Sequence, residues 1–99
     1  IIKKKATAVR VLIFNLSPRL KTEYLGFAKL LRGANINTAL YLGDDRAFQA
    51  QLAYAAKKEI PYLVIYGEEE KRKGVVAVRN MVTREQKEVP KKQLAEYLK

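Results

Sequence analysis

The apolar positions change their spacing along the chain, and each change marks an element. Val9, Val11, Leu12, Ile13 and Phe14 form a short, nearly continuous apolar run rich in β-branched residues, which predicts a strand covered on both faces. Ser17 and Pro18 fit an N-cap and first helical position, and Leu20, Tyr24, Phe27, Ala28 and Leu31 then recur at helical spacing. This predicts a helix to about Ala34, closed by Asn35, whose short polar side chain tolerates the left-handed conformation of many helix ends. Ile36 to Leu42 reads as a second strand. Gly43, Asp44 and Asp45 break it and offer an N-cap, after which Phe48, Leu52, Ala55 and Ala56 mark the inward face of a second helix ending near Glu59. Ile60 to Tyr66, with Pro61 at its start, is the most strand-like segment and is expected at the centre of the sheet. Glu68 to Lys73 reads as a charged turn closed by Gly74. Val75 to Met81 follows as a fourth strand, Thr83 to Glu85 as a turn and Gln86 to Val89 as a short fifth strand. Pro90 opens a last helix with Leu94, Tyr97 and Leu98 facing inward. No internal repeat or low-complexity segment interrupts this order.

The succession βαβαβ then ββα requires parallel strands joined by right-handed crossovers, while the short link from strand three to strand four favours an antiparallel pair. The predicted fold class is α/β: a three-layer α/β/α sandwich around a mixed five-stranded sheet, with three helices. At 99 residues, 48% of them apolar and 30% charged, the chain suits one domain with one modest core and lies far from the composition of disordered chains. Residues 1–7, with Lys3, Lys4 and Lys5, are expected to be a linker or fragment start, and residues 8–99 the domain. The absence of an initial Met suggests a piece of something longer. Lysines that follow Ile1 and Ile2 are in the wrong order for a signal peptide, and no stretch nears the roughly 20 apolar residues needed to cross a bilayer. A soluble, cytoplasmic protein is expected.

Chemistry narrows next. Cysteine and histidine are both absent, which excludes disulfides, thiol nucleophiles, imidazole bases and zinc sites of the common kinds. Asn15 to Pro18, after strand one, lacks the glycines that let a pyrophosphate approach, which argues against a dinucleotide-binding enzyme. Glu68 to Glu70 is exposed turn chemistry rather than a buried carboxylate pair, so no catalytic residue is proposed. Twenty basic residues against ten acidic ones give a net charge of +10. Such an excess attracts polyanions and makes nucleic acid the first partner to consider, although the same charge also serves solubility alone.

The run Leu42-Gly43-Asp44-Asp45-Arg46-Ala47-Phe48-Gln49-Ala50-Gln51-Leu52-Ala53-Tyr54-Ala55 resembles the histidyl-tRNA synthetase pattern of a glycine and an arginine opening a helix that continues to Gln-Leu-x-Tyr-Ala. Ile60-Pro61-Tyr62-Leu63-Val64-Ile65-Tyr66-Gly67-Glu68-Glu69-Glu70 is similar to the family's Ile-Pro strand ending in glycine and acidic residues. Gly74 to Met81 and Glu85 to Val89 resemble the strand pair that follows. The resemblance covers Val9 to Leu98 and implies the anticodon-binding fold shared by the synthetases for histidine, threonine, proline and glycine, with strand order 2-1-3-4-5 and strand four antiparallel. The Ile-Pro and Val-Arg strands recur in threonyl and prolyl enzymes. The domain of one of those, or a synthetase-like regulatory or interaction module without aminoacylation, is therefore the alternative. Family members often carry lysines where this chain has Gln49 and Ala50, and glycines where it has Asn35 and Arg84.

By this resemblance the partner is tRNA, held at its anticodon stem-loop. The parent would be a histidine-tRNA ligase, in its expected form a homodimer. An upstream catalytic domain would use ATP and Mg²⁺ to attach histidine to tRNA(His), with no cofactor in this chain. Glu70 and Arg79 match positions that contact anticodon bases in the threonyl enzymes: a carboxylate accepts from base amino and imino groups, and a guanidinium forks onto guanine or stacks on an unstacked base. Arg46 and Gln49, on the first turns of helix two, suit phosphate and base-edge contacts, with Asp44 or Asp45 as a cap. Lys71 and Arg72, with Lys73, form a basic cluster suited to the RNA backbone. Tyr24, Tyr54 and Tyr97 sit at core spacing, whereas Tyr41 and Tyr66, near strand ends, are placed to stack on a base.

Overall fold

The computed structural model of the chain describes residues 9–43 and 47–98. The sheet has five strands: β1 (Val11–Ile13), β2 (Thr38–Leu40), β3 (Tyr62–Ile65), β4 (Val75–Asn80) and β5 (Gln86–Pro90). Its order is β2-β1-β3-β4-β5, with β1 parallel to β2 and β3, and β4 antiparallel to both β3 and β5. The α-helices are α1 (Lys21–Gly33), α2 (Phe48–Lys57), α3 (Glu68–Lys73) and α4 (Leu94–Leu98), with 3-10 turns at Pro18–Leu20 and Lys91–Gln93. The expected order, central β3 and antiparallel β4 are all present. The strands are shorter than their apolar runs because the flanking residues, such as Ile36 and Ile60, serve as buried helix caps instead of ladder partners.

Alternation along the strands divides the core in two. Val11, Ile13, Val64, Tyr66, Val76 and Val78 face α1 and α4, where Tyr24, Phe27, Leu31, Leu94 and Leu98 meet them. Leu12, Phe14, Leu63, Ile65 and Ala77 face the other way, against Ala55 and the partly buried Phe48 and Leu52 of α2. Each buried Leu, Val, Ile or Phe side chain contributes about 1.5–3 kcal/mol, so the two faces together fix the sheet between its helices. Both crossover helices end as the Asn35 pattern predicts. The N–H of Ile36 donates to the Leu31 carbonyl and that of Asn35 to Arg32, both at 3.0 Å; Ile60 and Glu59 repeat the arrangement onto Ala55 and Ala56 at 3.0 and 3.1 Å. The residue at the bend is left-handed each time, Asn35 at φ 66° and Glu59 at φ 57°.

Three expectations are corrected. Glu68–Lys73 is a short helix, which makes four α-helices. Its three acidic residues occupy the first turn and its three basic residues the last, matching the helix dipole at both ends, while Gly74 closes it in the left-handed region. Pro90 both ends β5 and caps a 3-10 turn, Lys91–Gln93, so that α4 itself begins only at Leu94. Tyr54 and Tyr97, read as core, are 43% and 46% exposed. Tyr54 sits one position, or roughly 100° of helix rotation, before the buried Ala55, which leaves its ring on the shoulder of α2.

Candidate nucleic-acid interface

The two ends of the sheet differ in chemistry. One end gathers the last residues of β1, β2 and β3, the start of β4, and α3 between β3 and β4. Here Glu70 accepts the Gly67 N–H through Oε1 at 2.8 Å, capping its own helix. The basic cluster behind it is charge-compensated: Lys71 Nζ lies 3.6 Å from Glu23, Arg72 bonds Glu69 at 2.8 Å and Lys73 bonds Glu88 at 3.1 Å. Exposed pairs of this kind contribute about 0–1 kcal/mol, so a phosphate can take the place of a carboxylate at little cost. Gln49 is exposed on the first turn of α2. Arg46, with Asp44 and Asp45, lies outside the described residues, as do Lys3 to Lys5.

Tyr66 is removed from the expected stacking surface. It is fully buried, edge-on to Phe27 at 4.9 Å and to Tyr24 at 6.4 Å. Its hydroxyl donates to Glu23 Oε2 at 3.3 Å, and burial first, then the Glu23 carboxylate, pushes its phenol up to about 12. The period of β3 continues through residue 66, which sends the ring between sheet and α1 and leaves no face for a base. Tyr41 is also buried, against the edge of Tyr54.

A residue that was passed over shapes the same end. Gln51 is fully buried, and its amide spans the backbone of Asn15: Oε1 accepts the Asn15 N–H at 2.7 Å, and Nε2 donates to the Asn15 carbonyl at 2.9 Å. Across β1, the Tyr24 hydroxyl donates to the Tyr66 carbonyl at 2.6 Å and receives the Leu16 N–H at 3.4 Å. Nucleotides enter doubly wound sheets just there, at the C-terminal ends of strands that lead to helices on opposite faces. In this chain, side chains occupy those backbone groups. Gln51 lies three residues after Phe48 and four before Ala55, so its inward direction was legible in the helical period.

At the opposite end lies Arg79, near the end of β4. It pairs with Leu63 and Gln86 across the sheet and shares the α2 face with Ala77. Its half-buried side chain borders a groove of about 530 Å³ between the end of α2 and the β4–β5 hairpin. Leu52, Ala56, Pro61, Met81 and Val82 form the apolar walls of this groove; Glu59 and Arg84 are its other charged members. Arg79 Nε is buried and has no hydrogen-bond partner among the described residues. Four residues of β4, roughly 13 Å at strand rise, separate Arg79 from the α3 end. The structure therefore places Glu70, Lys71 and Arg72 together and Arg79 apart from them.

Among the described residues no helix is long and apolar enough to cross a membrane, and no cluster of three or more potential ligands could hold a metal ion. The arrangement is that of a basic α/β domain with a charged surface at the α3 end of the sheet and, at the other end, an apolar groove bordered by Arg79, Glu59 and Arg84. Residues 10–99 match the family described as "Anticodon binding domain", and the chain belongs to it. It is 37% identical over 76 residues, 77% of its own length, to "Probable histidine--tRNA ligase, cytoplasmic" of Encephalitozoon cuniculi, and 31% identical over 90 residues to the histidine--tRNA ligase of Caenorhabditis elegans. It spans only 18% and 17% of those proteins. The crystal structure of histidyl-tRNA synthetase from Nostoc sp. PCC 7120 superposes with a TM-score of 0.87 at 28% identity, over 93% of this chain and 22% of that one.

Proposed function

We propose that this chain is the portion of a histidine-tRNA ligase that grips the anticodon stem-loop of tRNA(His), in support of ATP-dependent histidine attachment elsewhere in the parent. The ATP, Mg²⁺, upstream catalytic domain, homodimeric assembly and cytoplasmic setting all belong to that proposed parent. The observation that carries the reading is Arg79. Its planar fork stands on the next-to-last residue of β4 and borders the groove, with a buried Nε lacking a partner among the described residues, and such a fork suits an acceptor edge. Base reading falls to Arg79, and to Glu70 through the carboxylate oxygen that Gly67 does not engage. Lys71, Arg72 and Arg46 hold the backbone, and Gln49 offers its amide to a base edge. The test is binding of this chain to tRNA(His) and to an anticodon-swapped tRNA, at several salt concentrations, with Arg79→Ala beside it. The substitution is expected to cost about 1–3 kcal/mol for the cognate tRNA and to relax discrimination. Equal losses for both tRNAs would make Arg79 a phosphate contact; no binding of either at low salt would reject the proposal.

A further inference from the structure

Each cation of α3 has a carboxylate beside it, but the three carboxylates are not held alike. Glu69 reaches Arg72 from within the same short helix and Glu88 reaches Lys73 from β5, and these two carboxylate side chains are 61% and 49% exposed. Either can swing into water when another anion takes its cation. Glu23, opposite Lys71, is 29% exposed. Its backbone lies in the first turn of α1, where the helix dipole favours a negative charge. Its Oε2 accepts the Tyr66 hydroxyl at 3.3 Å, while its Oε1 faces Lys71 Nζ at 3.6 Å. The group that holds Glu23 is itself fixed. Tyr66 is fully buried, its ring edge-on to both Phe27 and Tyr24, and its carbonyl accepts the Tyr24 hydroxyl at 2.6 Å. Burial keeps this phenol protonated, so its hydroxyl always has a proton to give to the carboxylate.

A phosphate that comes to Lys71 therefore meets a carboxylate that stays where it is. Resting on the reading that this chain grips RNA, we propose that Glu23 is a built-in competitor for RNA phosphate at Lys71, fixed in that role by Tyr66. At about 4 Å, two like charges in water repel enough to cost roughly fivefold in affinity. The penalty falls on every RNA alike, because it acts on the backbone and not on a base. It lowers the sequence-independent part of binding, which a net charge of +10 otherwise favours, and leaves discrimination to base contacts.

The probes are the anticodon stem-loop RNA of tRNA(His) and an anticodon-swapped stem-loop, each titrated against this chain at several salt concentrations. Glu23→Gln keeps an acceptor for the Tyr66 hydroxyl and removes only the charge. It is expected to tighten both RNAs about three- to fivefold at low salt and to steepen the salt dependence by up to about one. In a Lys71→Ala background the same change should add nothing, because no phosphate then sits opposite Glu23. Glu69→Gln and Glu88→Gln, whose carboxylates already turn away freely, should each change affinity by less than about twofold. Tyr66→Phe removes the hold and no charge; it should give part of the Glu23→Gln gain and add nothing in the Glu23→Gln background. Equal gains from all three carboxylate changes, or a Glu23→Gln gain that survives Lys71→Ala, would reveal a general charge effect and overturn the competitor. A gain confined to the cognate stem-loop also overturns it, by placing Glu23 at a base, and a loss of affinity in Tyr66→Phe overturns the hold. If the wild-type chain binds and Glu23→Gln does not tighten it, the competitor fails while the anticodon-grip reading stands. If neither stem-loop binds the wild-type chain at low salt, that reading fails and the competitor with it.

Discussion

Gln51→Leu should be among the most damaging single changes in the chain, although it keeps size and adds hydrophobicity. The side chain is fully buried, and its two hydrogen bonds satisfy both the N–H and the carbonyl of Asn15, where β1 leaves the sheet. Leucine can make neither bond. Each buried backbone group left unsatisfied costs about 1–3 kcal/mol, and Asn15 is only partly buried, so the sum is set at roughly 2–4 kcal/mol. In a domain of this size each kcal/mol moves the midpoint by about 4–8 °C, which gives a fall of roughly 8–30 °C. Thermal unfolding followed by circular dichroism measures it, and urea unfolding should show a lower midpoint with an unchanged slope. In the cold the variant should still bind RNA with wild-type salt dependence, because no groove or α3 residue is touched. A fall of less than about 4 °C would mean that Asn15 finds other partners readily and that Gln51 does not hold the strand end.

Replacing Lys71 and Arg72 together by alanine should weaken cognate and anticodon-swapped tRNA alike and flatten the salt dependence by about one per charge removed; unequal losses in the titration would give α3 a reading role. The phenol of Tyr66, raised by burial to about 12, favours the neutral ring in the folded state. Its contribution is whole below the ordinary tyrosine value near 10 and is lost as pH rises through about 12. Urea midpoints should fall over that window and fall less in Tyr66→Phe; parallel curves would remove Tyr66 from alkaline unfolding. Gly74→Ala places a Cβ where nothing lies within 4 Å, but at φ 74°, so it should cost about 1 kcal/mol from backbone strain alone. A change below half of that in urea unfolding would show that the α3–β4 junction adjusts.

The sheet was legible because its information is local. β-branched runs bounded by Pro61, Gly67 and Gly74 mark strands whatever packs on them, and the short β3–β4 link dictates their antiparallel pairing. Glu68–Lys73 was opaque for the opposite reason. Six charged residues carry no apolar period, and what makes them helical is the order of their charges and a cap that Glu70 returns to Gly67. The tyrosines misled because ring position depends on register: Tyr66 extends the β3 alternation into the core, while Tyr54 falls just beside the buried stripe of α2. The placement of Glu70 before the fourth strand and of Arg79 near its end, nine positions apart by the numbering, was legible, but no sequence period reports which end of a strand faces which helix, and only the sheet shows that β4 sets the two at its opposite ends.

That separation changes what the surface can do. A site with carboxylate and guanidinium side by side would spend each charge on the other, as Arg72 and Glu69 do at 2.8 Å. With β4 between them, Arg79 keeps a buried donor that no described residue engages, and the compensated cations of α3 can trade their carboxylates for phosphate. The departures at positions 35 and 84 then have different meanings. Both are left-handed, a conformation that glycine would take without strain. Asn35 is the residue that bears this conformation most easily after glycine, and it closes α1 through backbone bonds alone. Arg84 has no such tolerance, and its side chain borders the Arg79 groove. Asparagine at 35 follows from the helix end; arginine at 84 has no such backbone explanation.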